Sequence, residues 1–199
     1  MKKTTQRIES NILHDKNIRK IFISLMLAAC SLQFIGCGYS TKGGYLPAGI
    51  KSIYVKPFVN KIDISNEITT TNKYRSYRPL LEIDITNKLV ERFRLDGTLK
   101  IAKLDSQDWF LEGELVEFRK DPLKYADSDE ETVTEYRINL MVNLILYDKD
   151  NKIVWSENRF NGQTEYYTQG AYAKSESAAI DDAITDLARR IVERVVENW

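Results

Sequence analysis

Residues 133–147 constrain the fold more than any other part of this chain, because apolar and polar side chains alternate along the segment. One set is apolar: Tyr136, Ile138, Leu140, Val142, Leu144 and Leu146. The set between them is mostly polar: Glu135, Arg137, Asn139, Met141, Asn143, Ile145 and Tyr147. A period of two is typical of a β-strand, whose successive side chains point to opposite faces of the sheet. The sequence therefore predicts a long strand with one face in the core and the other face open.

Three further strands are predicted around this one. Residues 50–59 are β-branched and aromatic, with Pro57 marking an edge or a strand end. Residues 108–120 form a second strand, in which Gly113 suggests a bulge or a close backbone approach. Residues 153–167 form a fourth strand after turn-forming residues at 148–151. The polar segments 60–77 and 120–132 are predicted to be a long surface loop and a long hairpin tip.

Two amphipathic helices are predicted, one on each side of the strand-rich region. The first begins near Pro79, repeats apolar residues every four positions and ends at Gly97. The second covers residues 175–199, with acidic residues near its start and arginines in its C-terminal half. The predicted fold is a two-layer α/β (α+β) sandwich. A four-stranded, mostly antiparallel sheet carries both helices on one face, in the order β-α-β-β-β-α.

The N-terminal region is typical of a secretory signal. Lys16, Arg19 and Lys20 precede an apolar run at residues 21–29, which is too short for a comfortable membrane span. Small residues precede Cys30 and Cys37, as in signals whose cysteine is lipidated after cleavage. Cys30 matches the local cleavage pattern better, with Leu27 three residues before it. Cleavage before Cys37 is favoured because it leaves no odd thiol in an oxidising compartment. Cys30 and Cys37 therefore both remain candidates for the lipidated cysteine.

Cleavage before Cys37 divides the chain into a lipoprotein signal peptide at 1–36 and a single domain at 37–199. The signal removes six of the 29 basic residues and two of the 29 acidic residues, so the mature chain has a net charge near −4. This charge argues against nucleic acid as a partner. The sole histidine, His14, lies in the signal, which excludes histidine bases, triads and histidine metal sites. No metal site, cofactor or catalytic group is predicted, and the chain is not expected to be an enzyme.

Several short motifs resemble one protein family. They are the start Cys37-Gly38-Tyr39, the entry LPAGIKSI at residues 46–53, the exit KPFVN at 56–60, LEGE at 111–114 and EYR at 135–137. Together with the order of elements, they resemble the lipopolysaccharide-assembly lipoproteins of the LptE family. The resemblance covers the whole mature chain, and its Cys-Gly-Tyr start also favours Cys37 over Cys30.

The resemblance implies a function in envelope biogenesis in Gram-negative bacteria. Such a protein plugs the lumen of the large outer-membrane β-barrel LptD, assists its folding and takes part in lipopolysaccharide transport. The expected anchor is a set of palmitate-type acyl chains on Cys37, three of which hold a protein firmly on a membrane. Gly38 follows Cys37 in place of the aspartate that signals inner-membrane retention, so a periplasm-facing position at the outer membrane is expected.

Two groups of site residues follow from this reading. The polar face of the long strand, Glu135, Arg137, Asn139 and Asn143, is a candidate surface for a polar barrel wall, and it also fits an ordinary solvated sheet face. The resemblance places lipopolysaccharide contacts at Arg119, Lys120, Lys124 and Lys174, where nearby acidic residues offset the positive charge. The alternative function is a stand-alone periplasm-facing lipoprotein that binds a small ligand or envelope component through its open sheet face.

Overall fold

The computed structural model of the protein describes residues 46–47, 49–62, 78–126 and 129–197. All of these residues belong to one compact unit, Gly43–Trp199. The predicted signal peptide, both cysteines, and residues 63–77 of the predicted surface loop lie outside the described residues. In the described part of the chain, no helix is long and apolar enough to cross a membrane.

The described residues form a mixed sheet of six strands with the order β3-β1-β4-β5-β6, in which β2 pairs with β4 away from this path. The strands are β1 (Ser52–Val55), β2 (Val59–Asn60), β3 (Lys100–Ile101), β4 (Trp109–Ala126), β5 (Asp129–Asp148) and β6 (Ile153–Tyr167). Two helices complete the described fold, α1 (Leu81–Asp96) between β2 and β3, and α2 (Glu176–Glu197) after β6. The strands β4, β5 and β6 are antiparallel, whereas β1 is parallel to both β3 and β4.

The mixed α+β class is confirmed, but the predicted number and order of strands are wrong. Pro57 splits the predicted first strand into β1 and β2, since proline cannot donate a ladder hydrogen bond. The strand β3 has only two residues, which is too short to show any alternation in the sequence. The order of the described elements is therefore β-β-α-β-β-β-β-α.

The predicted polar hairpin tip at 120–132 is also wrong over most of its length, because β4 continues to Ala126 and β5 begins at Asp129. This part of the hairpin is held by the ladder that pairs Lys120 with Ile138 and Tyr125 with Val133. Its side chains are mostly exposed or half-buried, so no alternation of apolar residues reveals the strand. Backbone pairing extends the hairpin beyond the region that side-chain burial can predict.

The remaining elements follow the sequence pattern closely. The strand β6 has the predicted bounds, and α1 ends as predicted at Gly97, whose left-handed backbone lets its N–H donate to the Phe93 carbonyl. The predicted apolar set of β5 is buried between Ile138 and Leu146. Both helices pack their apolar stripes into the same core, and α2 alone buries ten residues there. One face of the sheet is therefore covered, and the opposite face is open.

Candidate functional site on the open face of the sheet

A β-bulge at Val116 decides which side chains of β4 reach the open face. The register to β5 shifts between Leu115 and Glu117, so Val116 is the extra residue. Leu111, Gly113 and Leu115 lie on the core side before the bulge, and Phe118 lies there after it. Because the bulge reverses the alternation, Glu117, Arg119 and Asp121 all lie on the open face.

These three residues form a chain of ion pairs across the open face. The Glu117 carboxylate contacts Arg119 Nη1 at 3.0 Å and Arg159 Nη2 at 2.6 Å, although the Glu117 side chain is only 11% exposed. Arg119 Nε donates to Asp121 Oδ2 at 2.8 Å, and this hydrogen bond is the main cause that raises the pKa of Arg119. Since the charges hold one another in place, this part of the face is an ordered polar surface.

The four predicted barrel-facing residues all lie on the open side of β5, but they differ in how freely they could meet a partner. Arg137 is 39% exposed and pairs with Glu165 on β6 at 2.6 Å. Glu135 is half-buried between its register partners on β4 and β6. Asn139 is buried, at 4% exposure, and its Nδ2 donates to Asp121 Oδ2 at 2.9 Å. Asn139 therefore supports the ion-pair chain from within the sheet.

Asn143 supports a second irregularity of the sheet. The register between β5 and β6 shifts near Asn143, and Arg159 there has a positive φ of 55°. The Arg159 N–H donates to Asn143 Oδ1 at 3.0 Å, so the side chain satisfies a backbone donor that the bulge leaves free. Sequence reasoning missed both Arg159 and Glu117 as members of this surface, because neither bulge has a residue signature in the chain.

The four predicted lipopolysaccharide contacts do not form one patch. Arg119 lies on the open face, whereas Lys120 lies on the helix side of the same strand, 4.3 Å above the ring of Tyr136. Lys120 Nζ pairs with Glu176 at 2.6 Å, and the lysine side chain is only 17% exposed. Burial lowers the pKa of Lys120, but the hydrogen bond and the charge of Glu176 raise it more, so the net pKa lies above its usual value. Lys120 is thus committed to an internal ion pair.

Lys124 and Lys174 are more accessible. Lys174 Nζ pairs with Asp182 near the start of α2 at 2.6 Å, and its side chain is 51% exposed. Lys124 is exposed near the end of the β4–β5 hairpin, and no described acidic group pairs with it. It lines an open cavity of about 320 Å³ together with Tyr125, Ala126, Thr134, Tyr167 and Gln169. Of the four basic residues, Lys124 is the one best placed to meet an anion.

The fold and the open face define a class of protein, a small two-layer domain with one covered sheet face and one ordered polar sheet face. Comparison with known proteins narrows the class. The family model for LptE, described as lipopolysaccharide assembly, matches residues 50–195. This chain belongs to the LptE family of lipopolysaccharide-assembly proteins, which is not a family of enzymes.

Solved structures with weak overall similarity include lipoproteins. A lipoprotein B from Nitrosomonas europaea is 17% identical, with a TM-score of 0.49 over 80% of this chain and 90% of that chain. The rare lipoprotein B from Shewanella oneidensis is 12% identical, with a TM-score of 0.39 over 71% of this chain and 92% of that chain. PelC from Paraburkholderia phytofirmans is 14% identical, with a TM-score of 0.44 over 77% of this chain and 94% of that chain. A search of curated proteins found no match.

Proposed function

We propose that this protein is an outer-membrane lipoprotein that lines or plugs the lumen of an LptD-type β-barrel and assists its assembly. The observation that carries the proposal is the ordered chain of ion pairs on the open sheet face. A barrel lumen is polar, so a plug needs a surface that makes many hydrogen bonds and stays soluble before assembly. Side chains that are already held in place lose little conformational entropy when a partner binds.

The family supports a function in lipopolysaccharide assembly, and the open face supports a protein partner over a catalytic function. Exposed or half-buried side chains on three neighbouring strands offer donors and acceptors of both signs. Arg137 and Glu165 extend the polar surface beyond the Glu117 network. Such a surface matches a partner by complementary charge, which sets orientation and specificity more than raw affinity.

The proposed anchor is a set of acyl chains on Cys37, with Cys30 as the alternative site. In the sequence, 14 residues separate Cys37 from β1 and 21 residues separate Cys30 from β1, so either cysteine would leave a tether of limited length. A short tether keeps the domain close to the membrane that holds the acyl chains. The proposed localisation is the periplasmic side of the outer membrane.

Purification of the tagged protein from its own membranes in a mild detergent tests the proposal. We expect a stable complex with a large outer-membrane barrel, and mass spectrometry of the same material should detect a triacylated Cys37 at the N-terminus. A monodisperse monomer without a barrel would contradict the proposal and favour the stand-alone lipoprotein. A triacylated Cys30 would move the anchor site and leave the barrel partnership intact.

A further inference from the structure

A row of three aromatic side chains crosses the open face at the end of the sheet away from Lys124. Tyr54 on β1 is in register with Phe110 on β4, and Phe110 is in register with Tyr147 on β5. Their neighbours Ile53, Trp109 and Leu146 are buried in the core, so the three rings lie on the opposite face. The rings of Phe110 and Tyr147 are stacked, with centroids 4.6 Å apart and planes 10° apart.

Two members of this aromatic row, Tyr54 and Phe110, line a cavity of about 480 Å³. The volume lies in the range of small-molecule sites, roughly 300–1,000 Å³. The cavity is half-open, and its other walls come from the β3–β4 loop (Leu104, Asp105 and Gln107) and the β5–β6 turn (Lys149 and Asn151). Lys56, just after β1, and Glu112 on β4 complete the lining. Phe110 both stacks on Tyr147 and lines the cavity, so the stack holds this part of the wall in place.

Hydrogen bonds hold both the β3–β4 loop and the β5–β6 turn in place. Asp108 Oδ2 accepts bonds from the backbone N–H groups of Lys51 and Ser52 at 2.8 and 3.0 Å, which ties the β3–β4 loop to the start of β1. Asp148 Oδ1 accepts bonds from the N–H groups of Asp150 and Lys152 at 2.8 and 2.9 Å, which closes the β5–β6 turn. The cavity is therefore largely formed before any ligand arrives.

The charges that line the cavity balance, with Lys56 and Lys149 against Asp105 and Glu112, so they favour an uncharged, hydroxyl-rich ligand over an anion. Lys56 Nζ pairs with Glu112 Oε1 at 2.6 Å, so the two charges neutralise each other beside the aromatic row. Side chains that donate hydrogen bonds and side chains that accept them both surround the rings, and a ligand with many hydroxyl groups requires both. The apolar face of a pyranose ring stacks on an aromatic ring while its hydroxyls bond to polar side chains at the rim.

We propose that this cavity, defined by Tyr54, Phe110 and the Lys56–Glu112 pair, binds a pyranose saccharide of the cell envelope. The half-open shape lets a longer glycan continue out of the site. Two sources supply neutral pyranose rings in the envelope, the N-acetylglucosamine units of the cell-wall glycan strand and the outer-core hexoses of lipopolysaccharide. The site does not depend on the barrel partnership, because all of its walls belong to this chain.

Titration of the full lipidated chain with two saccharides tests the proposal. The probes are both uncharged: N,N′-diacetylchitobiose, which presents the N-acetylglucosamine unit of the cell wall, and the outer-core hexose oligosaccharide freed of lipid A, acidic sugars and phosphate. The detergent should have a polyoxyethylene head group, because a maltoside detergent would itself offer a sugar. We expect saturable calorimetric binding of one probe, and the probe that binds identifies the source.

Two substitutions in the aromatic row are matched with one control. Tyr54→Thr and Phe110→Thr should each weaken binding about tenfold, because each removes a stacking surface. Tyr54→Thr leaves the Phe110–Tyr147 stack in place, so this variant still tests the site if Phe110→Thr lowers the stability of the fold. The control Tyr172→Thr changes a tyrosine that is 83% exposed in the β6–α2 loop and lines neither this cavity nor the one beside Lys124, and it should bind like the wild type. Absence of saturable binding of both probes up to about 10 mM, or equal binding by Tyr54→Thr and wild type, would overturn the proposal.

Discussion

Gly113 shows how one missing side chain fixes the path of the chain before α1. A Cβ atom at position 113 would overlap the ring of Phe58, which is 4% exposed and sits over the glycine. The Phe58 N–H donates to Thr86 Oγ1 at 3.0 Å, and the same hydroxyl donates to the Glu82 carbonyl at 2.7 Å. The glycine therefore lets the β1–β2 connection dock on α1 as well as on the sheet.

We expect Gly113→Ala to lower the free energy of unfolding by roughly 1–3 kcal/mol, as overpacking in a filled core does. Urea unfolding followed by circular dichroism measures the effect. Glu114→Ala, the next residue on the opposite face, is the control and should change stability by less than about 0.5–1 kcal/mol. Phe58→Leu should reduce the cost of Gly113→Ala, because a smaller side chain makes room for the methyl group. Additive effects of the two substitutions would contradict the proposed contact.

At the scale of elements, the long β4–β5 hairpin carries two kinds of lysine. Lys120 is paired internally with Glu176, whereas Lys124 is exposed near the hairpin end. Reversal of the two charges therefore has different consequences. Lys120→Glu places two carboxylates together in a half-buried site and should cost roughly 1–3 kcal/mol of stability. Lys124→Glu should leave stability unchanged within about 0.5 kcal/mol.

If the hairpin end contacts lipopolysaccharide, Lys124→Glu should weaken its binding about fivefold to tenfold, because a charge-assisted hydrogen bond to a phosphate is lost. Binding of purified lipopolysaccharide to the lipidated protein measures the change. Lys88→Glu, on α1 at 39% exposure, is the matched control and should bind normally. Equal binding by Lys124→Glu and wild type would remove Lys124 from the contact.

The elements that the sequence predicted are those with many residues on one buried face. The strand β5 and the helix α2 each repeat apolar residues over several periods, so their patterns are strong. The two-residue strands β2 and β3 have no period to detect. The bulge at Val116 depends on pairing with a distant strand, so the sequence could not show that Glu117 and Arg119 share a face with Arg137. The predicted open face of β5 was right, but its neighbours on that face required the structure.

At the scale of the whole molecule, the two sheet faces differ in what they contribute to the stability of the fold. The helices and the apolar residues of the sheet form one core, whereas the exposed Arg137–Glu165 pair lies on the opposite face, outside that core. Charges on an exposed sheet face contribute little to stability when they pair in water. Their arrangement is therefore available for a partner, and this separation lets the partner surface change without damage to the fold.

An exchange of charges within one exposed pair tests this separation most directly. The double variant Arg137→Glu/Glu165→Arg keeps an ion pair across β5 and β6 but reverses its direction on the open face. The matched control Lys88→Glu/Glu91→Lys makes the same exchange within an exposed pair on α1, away from the open sheet face. Both variants should unfold within about 1 kcal/mol of the wild type, since exposed ion pairs contribute little to stability.

The decisive measurement is the amount of barrel protein recovered with each variant from membranes in mild detergent. We expect the open-face exchange to lower recovery at least about fivefold, because like charges would then meet across the interface. The control exchange should recover as much barrel as the wild type. Full recovery of the barrel with Arg137→Glu/Glu165→Arg would contradict the central claim that the open sheet face meets the barrel wall.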